Sequence, residues 1–303
     1  MSEKVNILIV GSLGFIGSHA TQYFKAVSGY ECYGCDVLPG YGLENYWQID
    51  ATNADYKTLF AQQHFDVCIN CSGAASVPDS LQHPDRDFQL NVINVARLLE
   101  AIRIEQPHCK FIQLSSAAVY GNPQQLPIQE NAPLQPVSPY GEHKKIAETL
   151  VQEYVTYFGL KACILRLFSV YGPGLKKQLF WDWHQKSLAQ KEVEMWGTGN
   201  ETRDFIYVDD VINAMDCVIS KTEFEGECYN IAGGVATTIQ EVAGYFSAYH
   251  HPTFKFSFNQ IIRNGDPLYW QADIQKIQTI GFIPNTILSA GILKYVQWLK
   301  EKK

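Results

Sequence analysis

Short apolar runs alternate with amphipathic stretches through the first half of the chain. A run that is apolar throughout is typical of a strand buried on both faces, whereas apolar residues at every third or fourth position indicate a helix. The pattern predicts strands at 5–10, 30–36, 66–71, 110–116 and 161–167. It predicts helices at 15–27, 55–63, 84–106 and 139–159, with Gly159 as the C-cap of the last one. Strands that alternate with helices imply parallel βαβ units, so we expect an α/β fold with a doubly wound parallel sheet.

The pattern becomes irregular after Leu167. The segment VYGPGLKKQLFWDWHQK (170–186) is rich in turn residues and aromatic residues and has no clear period. One more strand–helix unit is predicted at 203–220, and a last helix at 290–300. We therefore expect two domains. The first spans 1–168, with 204–225 returning to it, and the second is a smaller C-terminal α/β domain at 169–303.

Charge and hydropathy argue against several classes of function. The chain carries 24 Lys and Arg against 31 Asp and Glu, and this net charge of −7 does not favour non-specific binding to nucleic acid. No apolar stretch reaches the roughly 18 residues that a membrane span needs. The N-terminal apolar run is short, and a glycine-rich turn follows where a signal peptide would need its cleavage site. We expect a cytoplasmic protein that binds neither nucleic acid nor a membrane.

The cysteines form two pairs with metal-site spacing. Cys32 and Cys35 are three residues apart, and so are Cys68 and Cys71, which together resembles a zinc ribbon. Each pair, however, lies in or at the end of a predicted strand, where residues three apart point to opposite faces. We therefore expect no metal site and eight reduced, largely buried thiols, with metal binding as the alternative.

Other patterns in the second half are predicted to be structural. The adjacent histidines at 250–251 are expected to be a solvated loop pair, with a ligand pair as the alternative, because no acidic residue or Cys lies nearby in sequence. Trp181 and Trp183 are expected to pack where the domains close, with a stacking platform as the alternative. The acidic pair at 209–210 fits an N-cap and the first turn of a helix, where it complements the helix dipole, with general acid–base work as the alternative.

A glycine-rich turn lies between the first predicted strand and helix. Gly11, Gly14 and Gly17 bring backbone N–H groups and a helix N-terminus to a position that suits a pyrophosphate. Phe15 and Ile16 of the same turn belong to this predicted cofactor site. A turn at the first βα junction is typical of a Rossmann-type sheet that binds a dinucleotide, and the alternative is a tight turn without a ligand.

The residue type at the end of the second strand favours one dinucleotide. Asp36 lies about 20 residues beyond the glycine turn, where a carboxylate accepts hydrogen bonds from the adenine-ribose hydroxyls. The same carboxylate would repel a 2′-phosphate, and no Arg follows it directly. NAD is therefore the predicted cofactor, with a solvated strand-end Asp as the alternative.

Three residues form a candidate catalytic group. Tyr140 and Lys144 are four apart on a predicted helix and so share one face. A Tyr has a pKa of about 10, and a cation held nearby favours its phenolate form, the form that acts as a base. Ser116 ends the strand at 110–116, at the edge of the sheet where ligands bind, and its hydroxyl can contact a reacting oxygen.

Taken together, these motifs resemble the extended short-chain dehydrogenase/reductases over essentially the whole chain. The matching stretches are GSLGFIG (11–17), NCSGAASV (70–77), SSAAVYG (115–121), SPYGEHK (138–144), RLFSVYGPG (166–174), GTGNETRDFIYVDD (197–210), YNIAGG (229–234) and RNGDP (263–267). The resemblance implies Tyr140 as the base, Ser116 as its partner and Lys144 as an anchor of the cofactor.

The resemblance also implies further contacts. It places Asp50 and Ala51 near the adenine, and Ala74 and Ser76 beside the nicotinamide and the sugar of a nucleotide-sugar substrate. It assigns Arg203 and Arg263 to the pyrophosphate of that substrate, with surface salt bridges as the alternative, and gives 169–303 the substrate-binding role. It further implies a homodimer formed by the helices at 84–106 and 139–158.

The motifs identify the family more specifically than they identify the exact activity. SSAAVYG looks most like UDP-glucose 4-epimerases, whereas the family's 4,6-dehydratases carry an acidic pair where this chain has Ala117 and Ala118. Ser169 stands where epimerases usually have an Asn that contacts the substrate phosphates. We expect an NAD-dependent UDP-hexose 4-epimerase. The alternatives are a nucleotide-4-keto-sugar reductase using NAD(P)H, a 4,6-dehydratase, or a non-catalytic NAD-sensing protein.

Overall fold

The computed structural model describes residues 4–189, 192–250, 255–262, 265 and 267–301. In these residues the strands are β1 (Val5–Val10), β2 (Tyr30–Asp36), β3 (Tyr46–Gln48), β4 (Val67–Asn70), β5 (Lys110–Ser116), β6 (Ala162–Leu167), β7 (Ser169–Tyr171), β8 (Glu192–Met195), β9 (Thr202–Tyr207), β10 (Glu225–Ile231), β11 (Ala236–Thr238) and β12 (Lys255–Phe258). The helices are α1 (Phe15–Ala26), α2 (Tyr56–Gln62), α3 (Val77–Gln82), α4 (Pro84–Phe88), α5 (Asn94–Glu105), α6 (Pro139–Phe158), α7 (Gln178–Ala189), α8 (Val208–Lys221), α9 (Ile239–His250), α10 (Gln275–Gln278) and α11 (Leu288–Glu301).

A seven-stranded sheet forms the centre of the molecule. Its order is β10-β6-β5-β4-β1-β2-β3, and every pairing is parallel. Along β1, Ile7 and Ile9 enter one apolar cluster, while Leu8 and Val10 enter another on the opposite face. The strand order reverses between β1 and β4, which creates a crevice at the carboxyl ends of the strands. The predicted doubly wound, Rossmann-type α/β fold is confirmed.

The two Cys pairs are divided by this sheet. Cys32 belongs to the cluster on one face and Cys35 to the cluster on the other. Cys68 is buried on the face of Cys35, and Cys71 packs against the opposite one. The predicted strand geometry is therefore confirmed for both pairs. All eight thiols are free, and the described residues contain no group of three or more His, Cys, Asp or Glu that could hold a metal ion.

The helix predicted at 84–106 is not one regular α-helix. A π-helical turn, Gln89–Ile93, joins α4 to α5. Around this turn the polar side chains of Asp87, Asn91 and Asn94 are buried. The prediction missed the turn because it followed only the apolar residues, and π turns of this kind recur at functional sites. Among the described residues no helix has both the length and the apolar character needed to cross a membrane.

The second half of the chain divides between two packing units. Strands β7, β9 and β11 form a small sheet, and β8 pairs with β12. They surround an apolar cluster that includes Phe180, Trp183, Phe246 and Tyr295. Helix α8 instead packs on α1, and β10 is the edge strand beside β6. The return to the large sheet thus extends to Ile231, beyond the predicted 225, whereas the predicted domain boundary itself stays a prediction.

The predictions for the aromatic segment and for the histidine pair have different outcomes. The irregular segment contains α7, whose Phe180 and Trp183 recur at helical spacing and are buried, so packing rather than stacking on a ligand accounts for Trp183. The expected solvated histidine pair is wrong for His250, which ends α9 with its Nε2 2.9 Å from Nδ1 of the largely buried His184. His251 lies outside the described residues.

The acidic pair at 209–210 lies in the first turn of α8, and the predicted N-cap role is wrong because Tyr207 occupies that position. Asp210 accepts hydrogen bonds from the backbone N–H groups of Asn285 and Thr286. Asp209 is 3.1 Å from Nδ1 of His19 on α1. The predicted dipole complement is therefore present, and the pair also ties α8 to neighbouring segments.

Candidate active site

The candidate residues collect at the carboxyl edge of the large sheet. The glycine turn follows β1, Asp36 ends β2 and Ser116 ends β5. Ser169 begins β7, two residues after the end of β6, and is half-buried. This edge is where ligands bind in doubly wound sheets.

The glycine turn is closed too tightly for side chains. Gly11 has a φ of +81°, and its N–H donates to the carbonyl of Cys35 at 2.7 Å. A Cβ on Gly17 would lie 2.0 Å from the carbonyl oxygen of Gly11. Helix α1 begins at Phe15 with no side-chain cap and no acidic residue in its first turn. Free N–H groups and the positive end of the helix dipole therefore fit a pyrophosphate at this turn.

Asp36 fixes the far side of the turn. It is 7% exposed, and its two oxygens accept hydrogen bonds from the N–H groups of Leu13 (2.8 Å) and Leu38 (3.2 Å). Each carboxylate oxygen can accept a second hydrogen bond, so both retain capacity for a ribose hydroxyl. Beside it lies a cleft lined by Val37, Gln48, Ile49, Asp50 and Ala51. This arrangement fits the adenosine half of NAD.

Asp50 and Ala51 line that cleft in different ways. Oδ1 of Asp50 accepts from the N–H groups of Thr52 and Asn53, so the side chain shapes its own loop. The carbonyl of Ala51 accepts from Nδ2 of Asn94 at 3.0 Å. The predicted position of both residues at the adenine end of the crevice is consistent with this geometry.

Ser116 and Tyr140 meet across a close helix–turn contact. A Cβ on Gly141 would lie 2.6 Å from the carbonyl oxygen of Ala118, so only glycine allows α6 to come this close to the 3-10 turn Ala117–Tyr120. The Ser116 hydroxyl accepts from the N–H of Ala118 and is a neighbour of the Tyr140 phenol. Burial raises the pKa of Tyr140 to about 12, and the Ser116 hydroxyl acts in the opposite direction.

Lys144 lies one helical turn beyond Tyr140 and is 5% exposed. Its Nζ donates to the carbonyl of Leu114 at 3.2 Å and lies 6.0 Å from the centre of the Tyr140 ring. Burial lowers the pKa of Lys144 to about 8, while the carboxylates of Asp87 and Glu148 favour its charged form. The phenol, the ammonium and the Ser116 hydroxyl thus converge as the sequence predicts.

Two acidic groups that lie behind Lys144 were not among the predicted site residues. Glu148 accepts from Ser115 at 2.5 Å and forms three contacts of 2.7–3.2 Å with the guanidinium of Arg166 on β6. Its spacing from Lys144 repeats that of Lys144 from Tyr140, so helical periodicity could have found it. Asp87 lies on α4 and contacts His143 on α6, a pairing that no local sequence pattern predicts.

The remaining predicted residues lie around this group. Ser76 is the N-cap of α3, accepting from the N–H of Asp79, and Ala74 precedes it in the same half-buried loop. Arg203 on β9 donates to the carbonyl of Leu268 and lies 5.7 Å from the Trp270 ring. Trp270 in turn donates to the carbonyl of Gly121, just after the Ala117–Tyr120 turn. Arg263 lies outside the described residues.

Comparisons with known proteins agree on one family. A model of the NAD dependent epimerase/dehydratase family matches residues 7–232. A putative UDP-glucose 4-epimerase of Methanocaldococcus jannaschii is 29% identical over 97% of this chain and 98% of that protein. The UDP-glucose 4-epimerase of Mycolicibacterium smegmatis is 28% identical over 97% and 98%. The crystal structure of UDP-glucuronic acid 4-epimerase from Bacillus cereus, in complex with UDP-glucuronic acid and NAD, is similar with a TM-score of 0.90 and 28% identity over 99% and 100%.

Proposed function

The chain belongs to the NAD dependent epimerase/dehydratase family, and from this premise we propose that it inverts C4 of the sugar in a UDP-hexose. The protein is an NAD-dependent epimerase, and its substrate is a nucleotide-sugar. The observation that carries the proposal is the convergence of Ser116, Tyr140 and Lys144 at the crevice of the sheet. Two relatives that match this chain along nearly their full length are named as UDP-glucose 4-epimerases, and they support the choice of substrate.

We assign the cofactor contacts to the edge formed by β1 and β2. The N–H groups at the start of α1 would hold the pyrophosphate, Gly11 and Gly14 would shape the turn that lets it approach, and Asp36 would hold the adenine ribose. NAD, when bound, supplies reversible hydride transfer at its nicotinamide ring. The predicted contacts from Phe15, Ile16 and Gly17, from Asp50 and Ala51, and from Ala74 complete this assignment.

In the proposed mechanism Tyr140 removes the proton of the sugar 4-hydroxyl. The ammonium of Lys144 favours the phenolate, because an adjacent cation stabilises the anionic form. Ser116 hydrogen-bonds to the reacting oxygen and keeps it within reach of Tyr140. When the 4-keto sugar has turned over in the pocket, Tyr140 returns the proton to the same oxygen.

The residues that follow Ser116 support epimerisation over dehydration. Ala117 is fully buried and Ala118 packs against the apolar cluster beside it, so neither position offers an acid. A 4,6-dehydratase needs a proton donor for the leaving 6-hydroxyl. The nucleotide diphosphate is assigned to Ser169, Arg203 and Arg263, and the sugar to Ser76 and Ser116.

The decisive experiment uses the protein as purified, with any bound cofactor retained. UDP-, dTDP- and GDP-hexoses are supplied without added NAD, and the two C4 epimers are followed by NMR. We expect one UDP-hexose to equilibrate with its epimer, and Tyr140→Phe to abolish turnover while bound NAD is kept. Net oxidation of added NADH would identify a reductase instead, and full activity of Tyr140→Phe would remove Tyr140 from its role.

We also propose a homodimer that works in the cytoplasm. Apolar side chains remain exposed along α5 and α6, the helices expected to pair between protomers. Eight free thiols suit a reducing compartment.

A further inference from the structure

A buried carboxylate lies behind the proposed catalytic group. Asp87, in α4, is 1% exposed; its Oδ1 lies 2.6 Å from Nδ1 of His143 and accepts from Nδ2 of Asn91 at 3.0 Å. Its Oδ2 is buried and has no hydrogen-bond partner among the described residues. A buried polar atom left without a partner destabilises the fold, so packing alone does not explain an Asp here.

Asn91 extends this site towards Lys144. An ideal Cβ on Gly73 would lie 2.5 Å from Oδ1 of Asn91 and 3.6 Å from Nζ of Lys144, so both groups border the same small space. Oδ1 of Asn91 is also buried without a partner in the part of the chain that the structure describes. The negative charge of Asp87 favours the protonated form of Lys144, and it raises the pKa of Tyr140.

The charged and titratable groups that face Lys144 come from several elements. They are the carboxylates of Asp87 and Glu148, the thiol of Cys71, the ammonium of Lys177 and the phenol of Tyr140. Glu148 is already neutralised by the permanently charged guanidinium of Arg166. Among the described residues the ion-pair partner of Asp87 is an imidazole, that of His143, which also packs edge-on against Phe88 at 5.3 Å. Of the two carboxylates, Asp87 is therefore the less neutralised by its partner, and its negative charge acts more strongly on Lys144.

We infer that Asp87, oriented by His143, is the counter-charge that keeps Lys144 protonated in a desolvated site. Both are positioning residues that act on Tyr140 through Lys144. The effect on catalysis rests on the proposed function, whereas the effect on the charge state of Lys144 does not. That charge state can be measured whether or not the correct sugar has been found.

The primary test is an NMR titration of the whole protein labelled with ¹³Cε-lysine. Lys144→Met assigns the Lys144 resonance, which we expect to titrate near pH 8 in the native chain. In Asp87→Asn the midpoint should fall by about one unit, because a nearby opposite charge has been removed. Asp87→Glu, which restores the charge, should bring the midpoint back. Asp85→Asn is the matched control, since Asp85 is exposed on the same helix and should leave the midpoint unchanged.

Two results would overturn the inference: an unchanged midpoint in folded Asp87→Asn, or an equal fall in Asp85→Asn. If Asp87→Asn does not fold, His143 provides the same test from the other side of the pair. His143→Arg puts a permanent cation on Asp87 and should lower the Lys144 midpoint relative to His143→Gln, and equal midpoints would refute the idea. Once the substrate is known, the alkaline limb of kcat should move with the NMR midpoint.

Discussion

Lys144 shows how burial sets the charge of a single residue. Its ammonium has lost most of its water, and its pKa falls to about 8 for that reason, although two carboxylates oppose the fall. A lysine with a lowered pKa is charged below pH 8 and becomes neutral above it. The proposed role of Lys144 requires the charge, so activity should decline as the pH rises through about 8.

The substitution Lys144→Arg separates charge from shape. A guanidinium stays protonated throughout the accessible pH range, so the alkaline limb of kcat should move upward by at least one unit. The rate at pH 7 should still fall by roughly 10²-fold, because the planar group does not reproduce the contact with the Leu114 carbonyl. Lys145→Arg, on the next residue, should change neither. An alkaline limb that stays near pH 8 in Lys144→Arg would contradict the assignment.

At the scale of elements, close backbone contacts position the site. The turn between β1 and α1 closes on itself at Gly17, and α6 approaches the end of β5 at Gly141. Arg166 and Glu148 then link β6 to α6 through a buried ion pair, and Ser115 adds β5 to it. These contacts hold the elements in register, so that side chains from separate parts of the sequence meet.

The substitution Gly17→Ala tests the tightest of these contacts. The added methyl would lie 2.0 Å from the Gly11 oxygen, which is backbone and cannot swing away. We expect a loss of about 1–3 kcal/mol in the free energy of unfolding, measured with denaturant, and loss of bound NAD. Gly29→Ala is the control, since nothing lies within 4 Å of a Cβ there. Equal stability and NAD content in both variants would show that the turn does not need its glycine.

At the scale of the whole molecule, α5 and α6 leave apolar side chains exposed to solvent. On α5 and α6, Ile104 is 46% exposed and Tyr157 75% exposed, and the Phe158 ring lies 5.1 Å from the guanidinium of Arg103. Helices with such faces are typical of a protein–protein interface. Ile104 and Tyr157 lie near the ends of α5 and α6 that lead into the amino ends of β5 and β6, so assembly there would leave the crevice at the carboxyl ends open.

A charge on this face should disrupt the proposed dimer. Tyr157→Glu places a carboxylate in the expected contact, and light scattering after size exclusion at micromolar concentration should then report a monomer. Tyr41→Glu makes the same change at a tyrosine that is 91% exposed on the loop after β2, and should remain dimeric. A monomeric native protein, or a dimer that survives Tyr157→Glu, would refute the interface.

The sequence by itself determined what depends on local order along the chain. Apolar periodicity identified the parallel sheet and its helices, and the positions of Gly11, Ser116 and Tyr140 at element ends identified the candidate site. Segments that break the period escaped it, namely the π turn at 89–93, helix α7 and the returning strand β10. Only the tertiary structure decided that Asp87 and His143, 56 residues apart, form a buried pair beside Lys144. The physical reason is that periodicity reports which face of an element is buried, whereas the charge of a buried group depends on partners from other elements.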